Sequence, residues 1–230
     1  MTNFDWWCDD ARQVGLDFAD AAQVASYDAR QGGSAERDAA LLRRLGLAAG
    51  MSLADIGCGT GILVCEAAGL GAQALGIDVS AAMLEAARGR AARLGRSRAR
   101  FLRAGFLSFE VPEASFNLIT TKNALHHLPD FWKAMAMTRL YAALKPGGRL
   151  YIRDVIFNEP PHRLAAAAEA WVGWMAANTG YARAEAAGHV RDEHSTFGWV
   201  IERLLTDTGF RLIERTHDGV YGEFLAERPD

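Results

Sequence analysis

Three glycines that alternate with small residues form the stretch of this chain best suited to lie against a ligand. Leu53 to Gly61 reads LADIGCGTG. Its first four residues are long enough for a buried parallel strand, and Ile62 to Gly69 has the composition of a helix whose N-terminal amides point into the loop. Gly57, Gly59 and Gly61 permit positive φ angles and place no Cβ between backbone and ligand. The pattern predicts a loop on which a ligand rests directly on the main chain.

An acidic residue ends the next apolar run. Ala74 to Ile77 is the second predicted strand, and Asp78 follows it. A carboxylate placed one βαβ unit after a glycine loop can accept two hydrogen bonds from a ribose diol. The loop and Asp78 together predict a nucleoside-binding crevice.

The spacing and charge of the loop indicate which nucleoside it suits. A dinucleotide fingerprint is G-x-G-x-x-G and serves a pyrophosphate. Here the spacing is G-x-G-x-G, and Asp55 stands two residues before the first glycine. A negative charge repels a pyrophosphate but is favourable beside an ammonium or sulfonium group. The loop therefore favours a positively charged ligand that carries a ribose, with a nicotinamide enzyme or a simple strand-to-helix turn as the alternatives.

At these residues the chain resembles the class I S-adenosylmethionine (SAM) dependent methyltransferases, whose first motif is an acid followed by G-x-G-x-G. The resemblance extends from about Tyr27 to the C-terminus and is specific between Leu53 and Asp154. It implies an α/β fold with a doubly wound, mostly parallel seven-stranded sheet, an antiparallel C-terminal hairpin and a helical cap. It also implies that SAM is the cofactor. The cofactor-binding residues that it implies in this region are Asp55, Gly57, Cys58, Gly59, Thr60, Gly61 and Asp78.

Further cofactor contacts follow from the same resemblance. Tyr27, in a Tyr-Asp pair before a glycine break, matches a residue on a lid near the methionine end of SAM; a packed N-terminal helix is the other interpretation. Val79 and Met83 occupy positions that contact adenine in the family, although a methionine at such spacing is equally typical of a core. Asn123 is a candidate contact for the amino-acid end of SAM.

One strand end departs from the family pattern. Phe101 to Arg103 is the third predicted strand, and many relatives follow it with Gly-Asp, whose carboxylate accepts from the adenine amino group. This chain has Ala104-Gly105-Phe106 instead. The Gly105-Phe106 backbone can still reach an adenine ring nitrogen through the amide of Phe106. Loss of one hydrogen bond of about 1 kcal/mol weakens cofactor affinity without abolishing it.

The loop after the fourth predicted strand carries two adjacent histidines. Relatives contain a similar Leu-His-His-Leu stretch, and this loop lies at the carboxyl end of the sheet, where ligands bind. We expect one of His126 and His127 to face the site and the other to pack beneath it. The facing histidine can accept a proton from an incoming nucleophile. The alternative is that both are packing or helix-capping groups, and Glu193, His194 and Tyr221 are further candidate bases.

The chain reads as one domain, 1–230, with N-terminal lid helices in 1–34 and an inserted helical cap in 156–194. The cap contains a predicted helix, Arg163 to Asn178, with Trp171 and Met175 at helical spacing and Trp174 near that face. These side chains suit a cap over an apolar or aromatic acceptor. Packing on the sheet, or a homodimer interface, is equally consistent with them.

Composition narrows the class of protein. The chain has 230 residues, 23% of them charged, and a net charge of -3, so no global basic field draws it to nucleic acid. An arginine run from Arg88 to Arg103 lacks interleaved aromatics and favours a solvated face. Three cysteines without metal-ligand spacing favour free thiols, no metal site and a cytoplasmic location. No apolar run approaches the length of a membrane helix.

The predicted function is methyl transfer from SAM to a nucleophile on a small-molecule acceptor. Because the sulfonium already activates the methyl group, the protein must mainly align the reacting atoms and exclude water. Two alternatives remain. One is a SAM-binding module without turnover, suggested by Gly105, and the other is an RNA methyltransferase, suggested only by the arginine run.

Overall fold

The computed structural model describes residues 5–11, 21–30 and 32–230. Strands and helices alternate along most of this part of the chain. The strands are β1 (Ser52–Ile56), β2 (Gln73–Asp78), β3 (Ala99–Arg103), β4 (Phe116–Lys122), β5 (Leu144–Phe157), β6 (Thr196–Phe197), β7 (Arg211–Asp218) and β8 (Tyr221–Glu227). The α-helices are α1 (Ala21–Arg30), α2 (Ala35–Arg44), α3 (Ile62–Gly69), α4 (Ala81–Arg93), α5 (Asp130–Ala143), α6 (Leu164–Asn178), α7 (Arg183–Asp192) and α8 (Gly198–Thr208).

The strands form one sheet in the order β3-β2-β1-β4-β5-β8-β7, and β6 pairs with the end of β5. Strands β1 to β5 pair in parallel, whereas β8 runs antiparallel to both β5 and β7. The order reverses between β1 and β4, which places a crevice at their carboxyl ends. The predicted fold class is confirmed, and the two-residue strand β6 is an addition to the seven predicted strands.

Side chains of β1 alternate between the two faces of the sheet, and this alternation explains why helices cover both faces. Leu53 packs in one core cluster with Val64 of α3. Ile56, three residues later, packs in a second cluster with Met137 of α5 and Ile201 of α8. Successive side chains of a strand point to opposite faces, so an apolar run such as β1 requires helices on both sides.

The insertion between β5 and β6 has its own small core. Trp171 and Met175 of α6 are buried with Tyr181 and with Val155 of β5. Trp174 of the same helix is 52% exposed, so it lies outside this core. The predicted insertion 156–194 therefore contains α6 and α7, whereas the predicted lid 1–34 lies partly outside the described residues. Among the described helices, none combines the length and the apolar character that crossing a bilayer requires.

Candidate cofactor and acceptor site

The glycine loop crosses the carboxyl end of β2. The amides of Gly57 and Cys58 donate to the carbonyl of Ile77, with N···O distances of 2.8 and 3.1 Å. Gly57, Gly59 and Gly61 have φ angles of +74°, +51° and +74°. Other residues rarely adopt this left-handed region, so the alternation of glycines in the sequence follows from the shape of the loop.

Close contacts with neighbouring residues also leave little room for a side chain at two of these glycines. A Cβ at Gly57 would lie 2.3 Å from the Cβ of Ala124 in the strand-four loop, and one at Gly59 would lie 3.4 Å from the Tyr27 ring. Gly61 has a structural role in addition to its predicted cofactor contact, which stays a prediction. It caps the N-terminus of α3, where an added Cβ would lie 2.8 Å from Ala87, and it lines neither of the cavities described next.

Two cavities meet across Gly57 and Gly59. We call the first the Asp78 cavity; it has a volume of about 460 Å³. It is lined by these predicted residues: Tyr27, Gly57, Gly59, Asp78, Val79, Met83, Gly105, Phe106, Asn123 and His127. We call the second the Asp55 cavity; its volume is about 490 Å³. It is lined by these predicted residues: Tyr27, Asp55, Gly57, Cys58, Gly59, Thr60 and Asn123.

Asp78 joins the glycine loop to the start of α4. Its carboxylate accepts from the amide of Gly59 at 2.8 Å and from the amide of Ser80 at 2.9 Å. Burial raises the pKa of Asp78, and these backbone hydrogen bonds partly offset the rise. A carboxylate has about four lone-pair positions, so Asp78 keeps acceptor capacity for a diol in the cavity.

Asp55 is a buried carboxyl group at the end of β1. It is 3% exposed, and its Oδ1 accepts from the hydroxyl of Thr120 at 2.7 Å. Burial raises the pKa of Asp55 to about 7, although the nearby ammonium of Lys122 lowers it. Lys122 itself forms an ion pair with Asp38 of α2. A cationic ligand in this cavity would stabilise the ionised form of Asp55.

Helix α1 is fixed to the glycine loop through Asp28. The hydroxyl of Thr60 donates to Asp28 at 2.5 Å, and the guanidinium of Arg90 pairs with the same carboxylate at 2.5 Å. Arg90 also donates to the carbonyl of Thr60 at 2.8 Å. These contacts hold Tyr27 beside Gly59. The predicted solvated face of the arginine run is therefore wrong for Arg90, whose role depends on a partner 62 residues away.

Asn123 adopts a left-handed backbone conformation with φ +51°. Its amide donates to the carbonyl of Arg153 at 2.8 Å, and its side-chain oxygen accepts from the Arg153 guanidinium at 3.0 Å. Asparagine tolerates this conformation better than most residues, and such strain concentrates at functional sites. Asn123 lines both cavities, and its predicted contact with the cofactor stays a prediction.

The two histidines have opposite environments. His126 is buried, with its Nδ1 2.5 Å from Asp154 and its Nε2 3.2 Å from Glu193. Burial alone lowers the pKa of His126, but the two carboxylates outweigh it and the pKa is raised. Carboxylates at both ring nitrogens stabilise the imidazolium form of His126, and this arrangement does not fit the role of a base.

His127 lines the Asp78 cavity, and His126 does not. Burial and the neighbouring His126 lower the pKa of His127 to about 3. The imidazole is thus neutral at physiological pH. His127 fits the expected arrangement in which one histidine faces the cavity and the other packs beneath it.

A third, small cavity of about 70 Å³ lies between α1 and the cap. Tyr27 and His127 line it together with Trp171, Met175 and Tyr181. The Trp171 indole nitrogen is buried and has no hydrogen-bond partner within the part of the chain that the structure describes.

One arginine connects α1 to the cap above this cavity. Arg30 pairs with Glu185 of α7 at 2.8 Å, and its guanidinium lies 4.0 Å from the centre of the Tyr181 ring. Helix α1 therefore contacts both the glycine loop, through Asp28, and the cap, through Arg30.

The two histidines and a third side chain lie close enough together to be considered as a metal site. Ligand atoms of His126, His127 and Glu193 lie within 4.8 Å of one another, whereas the sequence predicted no metal site. Both nitrogens of His126 already face carboxylates, which is the arrangement of a protonated imidazole. We interpret the group as an ion cluster. Asp154, which the sequence did not identify, lies on β5, and its position near the carboxyl end of a parallel strand was the available signal.

Comparison with known proteins agrees with this geometry. Residues 53–148 match the family model described as a methyltransferase domain. The 27-O-demethylrifamycin SV methyltransferase of Amycolatopsis mediterranei is 35% identical over 127 residues, or 54% of this chain and 46% of that protein. The trans-aconitate 2-methyltransferase of Methylobacterium radiotolerans is 37% identical over 142 residues, or 60% and 52%. The chain spans about half the length of these curated relatives.

A solved structure shows the same fold. Phosphoethanolamine N-methyltransferase 2 of Haemonchus contortus, in complex with S-adenosyl-L-methionine, superposes with a TM-score of 0.72 at 18% identity. The superposition covers 94% of this chain and 60% of that chain. The fold and the glycine loop define a Rossmann-like methyltransferase domain. The family-model match, the relatives and the fold together support the predicted resemblance to the class I SAM-dependent methyltransferases.

SAM is the cofactor of this family, as predicted, and the residues present fit it. The glycine cradle has no room for side chains at Gly57. Asp78 offers an acceptor for a ribose, and the buried carboxyl of Asp55 suits a cationic group. The two cavities share four lining residues and so lie side by side, which suits a ligand with a nucleoside end and an amino-acid end.

Proposed function

We propose that this protein transfers the methyl group of SAM to a nucleophile on a small-molecule acceptor. The observation that carries the proposal is the junction of three cavities at Tyr27 and Asn123, both of which line all three. A cofactor bound across the two large cavities would present its central part to the small cavity under the cap.

The roles of the cofactor residues follow from their cavities. Asp78, Val79 and Met83, with the Gly105-Phe106 backbone, bind the adenosine end in the Asp78 cavity. Asp55, Cys58, Thr60 and Asn123 bind the amino-acid end in the Asp55 cavity, against Gly57 and Gly59. Tyr27 covers the junction. Gly61 supports the cofactor indirectly by allowing α3 to start close to α4.

The residues around the small cavity do the remaining chemistry. When bound, SAM supplies a methyl group activated by its sulfonium. Tyr27, Trp171 and Met175 exclude water and confine the acceptor. His127 accepts the proton of an acceptor that must lose one, and it does so as a neutral imidazole. His126 does not exchange protons in this scheme; paired with Asp154, it positions the ring of His127, whose centre lies 4.3 Å away.

The acceptor is a small organic molecule that carries a hydrogen-bond acceptor near its reacting group. The aromatic and thioether lining of the cavity suits an apolar or aromatic portion, and the indole N–H of Trp171 suits an oxygen. Two relatives are named for methylation of a demethylrifamycin and of trans-aconitate, and these names support a small-molecule acceptor.

Nucleic acid is disfavoured as a substrate by the arginine run. Arg98 donates to the carbonyl of Gly71 at 2.6 Å, and Arg103 donates to the carbonyl of Val79 at 3.1 Å. These guanidinium groups serve the protein's own loops. With a net charge of -3, the chain offers little electrostatic attraction for phosphates.

The proposal extends to organisation and location. Residues 1–34 act as a lid and 156–194 as a cap on a single domain. The buried thiols of Cys58 and Cys65 are unpaired, which supports a reducing, cytoplasmic location. The exposed Trp174 and Trp199 make a homodimer worth testing by light scattering.

Calorimetry and mass spectrometry test the proposal together. We expect the purified protein to bind SAM and S-adenosylhomocysteine, and to release S-adenosylhomocysteine only when a metabolite extract supplies the acceptor. Binding without transfer across a broad extract panel would instead indicate a SAM-binding module. Absence of binding to both compounds would contradict the proposal. Affinity for RNA that falls steeply with salt would point to an RNA substrate.

A further inference from the structure

A carboxylate from the N-terminal segment reaches the Asp78 cavity. Asp10 lines this cavity, and its Oδ2 accepts a 2.6 Å hydrogen bond from the amide of Leu107, 97 residues later in the chain. The contact places an acidic group at the end of β3, beside Gly105 and Phe106.

This carboxylate occupies the space that a side chain at residue 105 would use. A Cβ built on Gly105 would lie 2.2 Å from Oδ2 and 2.6 Å from Cγ of Asp10. Distances this short mean that the two groups cannot coexist. Because residue 105 is a glycine, the carboxylate of Asp10 can occupy the space that a side chain there would fill.

Aromatic packing holds the segment in place. The rings of Trp6 and Trp7 lie with their centres 6.1 and 5.4 Å from that of Trp132 on α5. Trp7 and Cys8 pack against the core cluster beneath the sheet. Asp10 is thus presented to the cavity by a docked segment, and one of its oxygens is already oriented by Leu107.

The position of the acid suggests what it recognises. Asp78 marks the ribose end of the cavity, and Val79, Met83 and Phe106 give an apolar slot for a flat base. An ionised carboxylate accepts hydrogen bonds and donates none. It therefore favours a base edge that carries an amino group over one that carries an oxo group.

We propose that Asp10 accepts a hydrogen bond from the 6-amino group of the cofactor's adenine and so determines the specificity for that base. The inference rests on the proposed binding of the adenosine end in the Asp78 cavity. It assigns a binding role to a residue outside the motifs of the methyltransferase domain, since the family match begins at residue 53.

The test compares two ligands that differ on one edge of the base, where an oxo group replaces the amino group and the adjacent N1 carries a proton. Titration calorimetry measures the dissociation constants of S-adenosylhomocysteine and of S-inosylhomocysteine, which has an oxo group in place of the amino group. We expect wild-type protein to prefer the adenine compound by about tenfold or more, since a hydrogen bond to a charged group is at stake. In Asp10→Ala the preference falls to within about threefold.

Three further variants separate recognition of the base from anchoring of the segment. In Asp10→Asn the side-chain amide can donate, so the preference shifts towards the inosine compound. Gly105→Asp alone weakens binding because the new side chain collides with Asp10. In the double variant Asp10→Ala/Gly105→Asp the acid is regained in place, and the preference for adenine returns. Asp5→Ala, an exposed acid on the same segment, is the matched control and leaves both constants unchanged.

The outcomes distinguish this inference from the proposed function. If Asp10→Ala weakens the binding of both ligands by the same factor, or of neither ligand, Asp10 does not discriminate between the bases. The inference is then overturned, while the proposed cofactor site stands. If wild-type protein binds neither ligand, the cofactor site and the role of Asp10 are both overturned.

Discussion

The amide of Gly59 donates a 2.8 Å hydrogen bond to the carboxylate of Asp78, which joins the glycine loop to the acid at the end of β2. The two sequence features that indicated a nucleoside site are thus one physical unit. We therefore expect a change at either residue to affect both the shape of the loop and the proposed binding of a ribose.

Asp78→Ala should abolish the rise in melting temperature that S-adenosylhomocysteine causes through ligand linkage. The variant should also lose about 1 to 3 kcal/mol of unfolding free energy, because the amides of Gly59 and Ser80 lose their acceptor. Thermal and urea unfolding measure the two effects. Asp218→Ala, at the exposed turn of the C-terminal hairpin, is the control. A normal ligand-induced shift in Asp78→Ala would count against the assignment.

Gly57→Ala should be more damaging than Gly50→Ala, although both glycines have positive φ angles, +74° and +83°. A methyl group at Gly50 meets none of the described residues within 4 Å, so its cost is the left-handed conformation, about 1 kcal/mol. At Gly57 the methyl group also meets Ala124 at 2.3 Å, which adds roughly 1 to 3 kcal/mol.

Urea unfolding and calorimetry with S-adenosylhomocysteine measure this comparison. We expect only Gly57→Ala to lose ligand affinity, and Ala124→Gly to restore part of the stability of that variant. Equal losses in the two single variants would show that the contact with Ala124 is unimportant.

The carboxyl group of Asp55 should make the unliganded protein less stable as pH rises. Its pKa is about 7 in the folded protein and about 3.9 in an unfolded chain. Between these values the folded state binds the extra proton, so the stabilisation present at low pH is lost as pH rises towards 7. Asp55→Asn lacks this effect. Its stability relative to wild type should therefore increase between pH 5 and pH 8, by on the order of 2 kcal/mol in urea unfolding.

The same group should make SAM binding depend on pH. A cationic ligand favours ionised Asp55, so the affinity of wild-type protein for SAM should increase as pH rises through about 7. Calorimetry at pH 6 and pH 8 measures the change, which should be absent in Asp55→Asn. A pH-independent affinity in wild type would show that the bound ligand places no cationic group near Asp55.

Substitution of His126 should mainly lower stability, whereas substitution of His127 should mainly lower activity. His126→Ala leaves Asp154 buried without its imidazole partner, and removal of one member of a buried ion pair costs about 3 to 5 kcal/mol. His127→Ala should change unfolding free energy little. It should lower kcat by about 100-fold or more for an acceptor that must lose a proton, with little change in the KM for SAM.

Urea unfolding and steady-state kinetics measure these effects, and His162→Ala, an exposed histidine, is the control. The pKa of His127 is about 3, so between pH 5 and pH 8 the rate should show no titration of this residue. An unchanged kcat in His127→Ala for such an acceptor would exclude it as the base.

Much of the fold was predictable because its signals are local. The apolar run at Leu53, the glycines after it and the Asp78 position each depend on neighbours within a few residues. The shape of the glycine loop was predictable for the same reason, because glycines that alternate with other residues indicate the positive φ angles that the structure shows.

The rest of the site depends on contacts between distant segments, which single-sequence patterns do not contain. Asp28 meets Arg90 across 62 residues, and Asp10 meets Leu107 across 97. Likewise, nothing near His126 in the sequence indicates that Asp154 would neutralise it and leave His127 to face the cavity. The opposite pKa shifts of the two adjacent histidines arise only in the assembled fold, where burial lowers both pKa values and two carboxylates outweigh that effect at His126.

Helix α1 is a common wall for two compartments, because Asp28 ties it to the cofactor loop and Arg30 ties it to the cap. Whichever molecule arrives first orders this wall, and the second then binds without the same entropic cost. We therefore expect thermodynamic coupling: S-adenosylhomocysteine should tighten acceptor binding by the same factor by which the acceptor tightens S-adenosylhomocysteine.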